Sequence, residues 1–387
     1  MWYNAAMLIG IDASRAARPQ PTGTEAYSLS MVRALAGVGA GHRLRLYTAT
    51  PFPPGRLPGA SAPVEVSLIP FPRLWTHLRL GWELRRRPPD VLFVPAHVMP
   101  VGCPVPAVVT VHDLGYMHFP AAHPAFDRWY LDWTTRRHAR RAAYVVADSA
   151  ATRRDLIEHC RADAARVVVI YPGRDESLVR VADAAQLAAL QARYGIEGDY
   201  LLYVGTLQPR KNLVRLLAAF ARLPVDAGEP PAPAGRLSLV LAGKRGYQYE
   251  ELRHLVGRLG LAGRVVFAGY VPEGDKAALL SGALGLVYPS LYEGFGLPVL
   301  EAMACGTPVL TANASSLPEV AGEAALLVDP LSVDEIAAGL TRLAGDPALR
   351  RCLVERGYQQ LRKFSWEQAA RQLLEVLVDA AGRRASA

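Results

Sequence analysis

Glu293 and Glu301 lie eight residues apart in the stretch YPSLYEGFGLPVLEAMACG, residues 288–306. Gly294 and Gly296 let the backbone after the first glutamate approach a ligand closely, and Pro298 suits the first turn of a helix. Amides at such a helix start can hold phosphate oxygens. Glu301 falls about one turn on, roughly 4–5 Å along the axis. Ionised carboxylates accept several hydrogen bonds, which suits the vicinal hydroxyls of a ribose or hexose. The plainer alternative is a solvent-facing Glu293 and a helix-capping Glu301. In YVGTLQPRKNL, residues 203–213, Arg210 and Lys211 stand between a strand and a helix. Two cations there can neutralise a pyrophosphate leaving group, or they are solvated surface charges. In VVTVHDLGYMHFP, residues 108–120, an apolar strand ends on His112 and Asp113. An imidazole there can bond a sugar hydroxyl, and Asp113 either orients it or caps the segment after it. Gly23 in PTGTEAYS precedes a helix and offers amides near a phosphate, although the chain has neither GxGxxG after its first strand nor a Walker A loop. Lys244 follows a strand and is a further cation candidate.

Short Val-rich strands alternating with helices must position these residues, which argues for largely parallel α/β sheets. MLIGIDA, HRLRLYTA, VEVSLIP, DVLFVP, PAVVTVHD, YVVADS and RVVVIYPG read as strands, with helices between them that include 76–87 and 125–141. The pattern restarts near residue 200, from YLLYVGT through LSLVLAG, RVVFAGYV, LGLVYPS, PVLTA and ALLVDP. The expected organisation is an N-terminal acceptor-side domain over 1–180, a C-terminal nucleotide-sugar domain over 181–365, and a helix over 366–387 that packs back on the N-terminal domain. The linker is expected between Pro172 and Arg193. The insert PVDAGEPPAPAGR, residues 224–236, reads as a surface loop. Ligands of open parallel sheets sit outside the carboxyl ends of strands, so Glu293, Lys211 and His112 are all expected in the same kind of place.

The run E-G-F-G-L-P-V-L-E-A over 293–302 resembles the signature of glycosyltransferase family 4, the group 1 transferases: a glutamate, seven residues and a second glutamate. CGTPVL and SLPEV, further along, resemble it too. The resemblance implies the GT-B fold, two Rossmann-like domains facing across a cleft, with a nucleoside-diphosphate sugar donor and transfer with retention. It implies that Glu301 holds the ribose hydroxyls and Glu293 the donor sugar. The amides around Phe295, Gly296 and Leu297 would face the sugar or phosphate. Lys211 falls on the lysine of the family's G-R-L-x-x-x-K, while Thr206 stands at its arginine and Arg210 supplies the missing charge. His112 matches a first-domain histidine that contacts the donor sugar, and His118 falls on the acceptor side. Thr22-Gly23 stands at the family's Gly-Gly pair. Lys244 flanks the nucleotide, and Tyr270 and Val271 fall where the base is received. The strings HDL, ADSAATRRDL and PRKN lean toward mannosyl-type members and GDP-mannose. Retention in the family is explained by same-face attack, with Glu293 binding rather than acting as a covalent nucleophile.

The 387 residues carry a net charge of +8, with 22 Lys or Arg against 15 Asp or Glu in residues 1–190 and 21 against 20 in the rest. A basic first half suits an anionic partner. Aromatics over 116–133, followed by Arg136, Arg137, Arg140 and Arg141, suit a glycan or lipid-linked acceptor and peripheral contact with the cytoplasmic membrane face. The four cysteines are scattered with no CxxC pair, which fits a reducing cytoplasm rather than a zinc or disulfide framework. The apolar start lacks a basic leader, and no apolar run reaches the length of a membrane span. There is no Asp-x-Asp, so no metal is expected on the leaving group and no cofactor beyond the donor substrate. Zinc-finger spacing and RNP aromatics are missing, so nucleic acid is not an expected partner. A nucleotide-sugar epimerase of the same fold and a non-catalytic sugar-nucleotide-binding protein remain the alternatives.

Overall fold

A computed structural model describes residues 6–18, 23–53, 55–57, 60–96, 98–120, 124–224, 237–246 and 249–385. Thr22 and residues 225–236 of the proline-rich insert lie outside them. The chain forms two compact units: Met1–Gly173 with Phe364–Ala387, and Arg174–Lys363. Each is a Rossmann-like α/β unit.

The first unit holds seven parallel strands: β1 (Leu8–Asp12), β2 (Arg43–Thr48), β3 (Val64–Leu68), β4 (Val91–Val94), β5 (Ala107–Val111), β6 (Tyr144–Ala147) and β7 (Val167–Val169). Their order is β3-β2-β1-β4-β5-β6-β7. VLFV of β4 and AVVTV of β5 are buried throughout, because helices cover both faces of a parallel sheet and leave no wet side. On one face Ile9, Ile11, Phe93 and Val108 pack with Leu373 and Leu377 of the last helix, Trp366–Ala385. Leu92, Val94, Val109 and Leu156 fill the other. That last helix therefore belongs to the first unit. At Gly173 a β-carbon would lie 2.2 Å from the Trp366 nitrogen, so only glycine lets the chain leave the unit beside the point where it returns.

The second unit holds six parallel strands: β8 (Tyr200–Val204), β9 (Ser238–Ala242), β10 (Val265–Gly269), β11 (Gly285–Tyr288), β12 (Val309–Ala312) and β13 (Ala325–Val328), in the order β10-β9-β8-β11-β12-β13. β8 and β9 are followed directly by Gly205 and Gly243, both at positive φ. A β-carbon on Gly243 would lie 2.0 Å from the Gly205 carbonyl oxygen, so the two loops leave the sheet backbone against backbone.

The units divide at Gly173–Arg174 and Lys363–Phe364, against the boundaries 180 and 365 read from the sequence. The first of these crossings falls inside the window expected for the linker, and the later part of that window is a helix of the second unit, Ala184–Tyr194. The Asp183 side chain caps its start by accepting from the Ala185 and Gln186 amides, and Gly195 ends it in the left-handed region.

Candidate active site

In the second unit β8 has β9 on one side and β11 on the other. Strand order turns there, which is where open parallel sheets bind ligands. The loop after β8 carries Arg210 and Lys211 on the short turn Pro209–Lys211. The loop after β11 carries Glu293. Asn212, at φ 63°, ties the two loops together: its side-chain amide donates to the Pro289 carbonyl at 3.0 Å and the Pro330 carbonyl at 2.6 Å. The Leu291 amide donates to the Arg210 carbonyl at 2.8 Å.

These ties set three charges against one another. Lys211 Nζ lies 2.5 Å from Glu293 Oε1, and Arg210 Nη1 lies 2.7 Å from Oε2. Arg210 also donates to the Tyr292 carbonyl at 2.9 Å. Lys211 Nζ meets the Tyr288 hydroxyl at 2.5 Å, and the Tyr288 ring stacks on Tyr203 at 5.9 Å. The Glu293 amide donates to Ser315 Oγ at 2.8 Å. Lys211 and Glu293 are only 5% and 6% exposed, so neither the solvent-facing glutamate nor a pair of solvated surface cations survives as a reading. Burial alone would raise the Glu293 carboxyl, but Lys211 and then Arg210 outweigh it and hold the group at about 2. The result is a hydrogen-bonded cluster of two cations and one anion, with one net positive charge.

Glu301 sits on the helix Leu297–Ala304, which starts from Gly296 at φ 107° with Pro298 in its first turn. A β-carbon at Gly296 would lie 2.8 Å from Leu317 Cδ2. Glu301 does not cap the helix. Its Oε1 lies 3.1 Å from Lys276 Nζ, and Lys276 also reaches Glu273 at 3.0 Å. Burial raises the Glu301 carboxyl against the pull of Lys276. For Lys276 burial works against the charge, but Glu301 and Glu273 overcome it and raise the ammonium. The sequence reading missed Lys276. Its only signal was the Glu273–Lys276 spacing on one helix face. Close by in sequence, Phe295 is buried, and its carbonyl accepts from Ser316 Oγ at 2.7 Å. Leu297 is half-buried and Val271 buried. Thr206 is exposed, and its carbonyl accepts from the Tyr203 hydroxyl at 3.1 Å. Lys244 is exposed over the Tyr270 ring at 5.5 Å.

In the first unit His112 follows β5. Its Nδ1 lies 2.7 Å from Asp148 Oδ2 and its Nε2 lies 3.0 Å from the Pro95 carbonyl. Both ring nitrogens thus face acceptors, and only the imidazolium can donate to both. Burial pulls the His112 pKa down, but Asp148 outweighs it and the net shift is upward. Asp113 plays the other part foreseen for it: its Oδ1 accepts from the Gly115 amide at 2.8 Å. Replacing Asp148 with asparagine should lower the His112 pKa, read from NMR titration of the ring protons. An unmoved pKa would show that Asp148 does not govern the ring.

Gly23 opens the helix Gly23–Val38, and a β-carbon there would meet nothing within 4 Å. Two residues on, buried Glu25 pairs with Arg15 at 3.2 Å and Arg18 at 3.8 Å. His118 Nε2 lies 3.1 Å from Asp155 Oδ2, and with His159 they bring three ligand-type atoms within 4.8 Å of one another.

Comparison with known proteins bears on both units. A family model described as glycosyl transferases group 1 matches residues 190–360, and one described as Glycosyltransferase Family 4 matches residues 21–178. The O-antigen chain mannosyltransferase B of Escherichia coli is 34% identical over 307 residues, 79% of each chain. The serotype-specific mannosyltransferase WbdA of Escherichia coli is 31% identical over 65% of this chain, which spans 30% of that longer protein. Among solved structures, HepE of Anabaena in complex with UDP and glucose aligns with a TM-score of 0.73 at 20% identity, over 96% of this chain and 99% of that one.

Proposed function

The chain belongs to the group 1, family 4 glycosyltransferases and carries out nucleotide-sugar-dependent glycosyl transfer, and from that premise we propose that it moves mannose from GDP-mannose to a glycan or lipid-linked acceptor with retention of configuration. The buried Lys211–Glu293–Arg210 cluster at the turn of strand order is the observation that carries this reading. The mannosyl relatives support the choice of sugar.

The second unit takes the donor. Glu301, steadied by Lys276, accepts from the ribose hydroxyls, while Val271 and Lys244 lie on the base and nucleotide side. Thr206 and the segment Phe295–Leu297 line the sugar and diphosphate. Glu293 has a sharper part than a grip on sugar hydroxyls. It fixes both cations before the donor arrives, so their charge needs no reorganisation when the leaving group departs. The bond from the anomeric carbon to the phosphate oxygen breaks, and the acceptor hydroxyl forms the new bond on the same face. Its proton passes to the departing phosphate oxygen. Arg210 and Lys211 offset the charge that develops there, and no metal is assigned to that task. Within the first unit, His112 has both ring nitrogens on acceptors, Asp148 and the Pro95 carbonyl, and the second of these bonds is the one it can give up for a sugar hydroxyl. Gly23 leaves open space beside a helix start for a phosphate oxygen or an acceptor group.

The acceptor is assigned to the first unit. Phe126 and Trp129 are 72% and 61% exposed on the helix Ala125–Arg141, and Arg79 and Arg86 lie over the exposed Trp82 ring. Rings beside arginines fit peripheral docking on anionic lipid at the cytoplasmic membrane face. Among the described residues no helix is long and apolar enough to cross a membrane. A thermal-shift screen over GDP-, UDP-, ADP- and dTDP-sugars tests the donor. At a hundredfold excess over its Kd a ligand stabilises by about 2.7 kcal/mol. GDP-mannose should stand out, and a null result with every donor would remove the assignment.

A further inference from the structure

A second, separate feature of the first unit is a cavity of about 420 Å³ walled by Arg137, Arg141, Arg166 and Arg383 beside Val105 and Ala107. It opens at the amino end of β5, whereas His112 follows the carboxyl end of the same strand. At ~3.3 Å per residue the two ends lie roughly 16 Å apart, so this cavity is not the place where an open parallel sheet binds its substrate.

The four arginines converge from separate parts of the fold. Arg137 and Arg141 end the helix Ala125–Arg141, Arg166 immediately precedes β7, and Arg383 comes from the last helix. No aspartate or glutamate is among the lining residues. Arg166 has an acidic partner in Asp163 at 3.4 Å and Arg383 in Asp379 at 3.0 Å. Among the described residues Arg137 and Arg141 have none. The Arg137 Nε is buried and has no hydrogen-bond partner. A buried donor left unmade is unfavourable, and like charges gathered on one cavity repel. An anion with several acceptor oxygens relieves the repulsion, and guanidinium forks match phosphate geometry.

We propose that this cavity binds a phosphate group, carried by a soluble phosphorylated molecule or by a phospholipid headgroup, independently of the transfer site. The apolar Val105 beside the arginines accommodates either carrier. The proposal does not depend on the identity of the donor sugar.

Inorganic phosphate is titrated calorimetrically into the full chain and into Arg141→Ala, Arg137→Gln/Arg141→Gln and Lys211→Met. Losing charge-assisted bonds should weaken binding about tenfold or more in both arginine variants, while Lys211→Met keeps the site. Arg141 is exposed, so Arg141→Ala keeps the test valid if the double variant misfolds. Flotation with phosphatidylcholine vesicles, with and without phosphatidylglycerol, distinguishes the carriers. Arginine-dependent vesicle binding without phosphate binding assigns the site to a lipid headgroup, and the reverse assigns it to a soluble phosphate. Two results overturn the proposal. In one, neither phosphate nor anionic vesicles bind in a way that depends on Arg137 and Arg141. In the other, phosphate binding disappears only with Lys211→Met, which returns the anion to the transfer site.

Discussion

Replacing Lys211 with methionine is expected to slow transfer by about 10²–10³-fold, the usual effect of removing one preorganised charge from a site where charge develops. The same change should destabilise the second unit. Glu293 is 6% exposed, and breaking a buried ion pair from one side costs about 3–5 kcal/mol because the other charge stays buried. Arg210 remains at 2.7 Å from Glu293 and moderates that figure. Adding Glu293→Gln to Lys211→Met should therefore cost less than the two single losses summed, as expected for groups in one network. Steady-state transfer rates and urea unfolding of the four proteins read both effects. A Lys211→Met enzyme with near-normal turnover would remove the cluster from the chemistry.

Glu293→Gln is expected to abolish a specific acid sensitivity. The Glu293 carboxyl has an ordinary value of 4.5 and is held at about 2. A depressed carboxyl contributes its stability fully above the unfolded value and loses it as pH falls toward the folded one. The second unit should therefore weaken between about pH 4.5 and about pH 2 through this group. Glu293→Gln leaves Lys211 and Arg210 facing each other without the anion, so it should be less stable at neutral pH and lack that component of the acid loss. Urea midpoints across this range decide the matter: an undiminished acid loss in Glu293→Gln would place its origin elsewhere. Near-normal transfer by Glu293→Gln would equally contradict the role given to this side chain.

The strands were legible because buried parallel strands read as short apolar runs, as VLFV and AVVTV do. The glutamate signature was legible because glycine, proline and charge change over within a few residues. The pairing of Glu293 with Lys211 was not, since 82 residues separate them and only the adjacency of β8 and β11 joins them. The partner of His112 shows the same limit. Asp113 is next in sequence, but successive residues at a strand end point to opposite faces. Val111 pairs with Ala147 across β5 and β6, so the next residue of each strand, His112 and Asp148, come side by side. Lys276 was hidden because EGDK reads as solvated charge until Glu301 is placed beside it. The helix Pro347–Leu361 went unread because its apolar face is thin: Leu353 and Leu361 are its only buried leucines.

The most direct measurement is transfer from GDP-mannose to a lipid-linked glycan acceptor in excess EDTA, following GDP release and the anomeric proton of the product by NMR. The expected result is turnover undiminished by the chelator, an α-mannosyl product, and a steep loss of both signals in Lys211→Met. A β-linked product, a rate abolished by EDTA, or turnover indifferent to Lys211 would contradict a metal-free, retaining transfer driven by the Lys211–Glu293–Arg210 cluster.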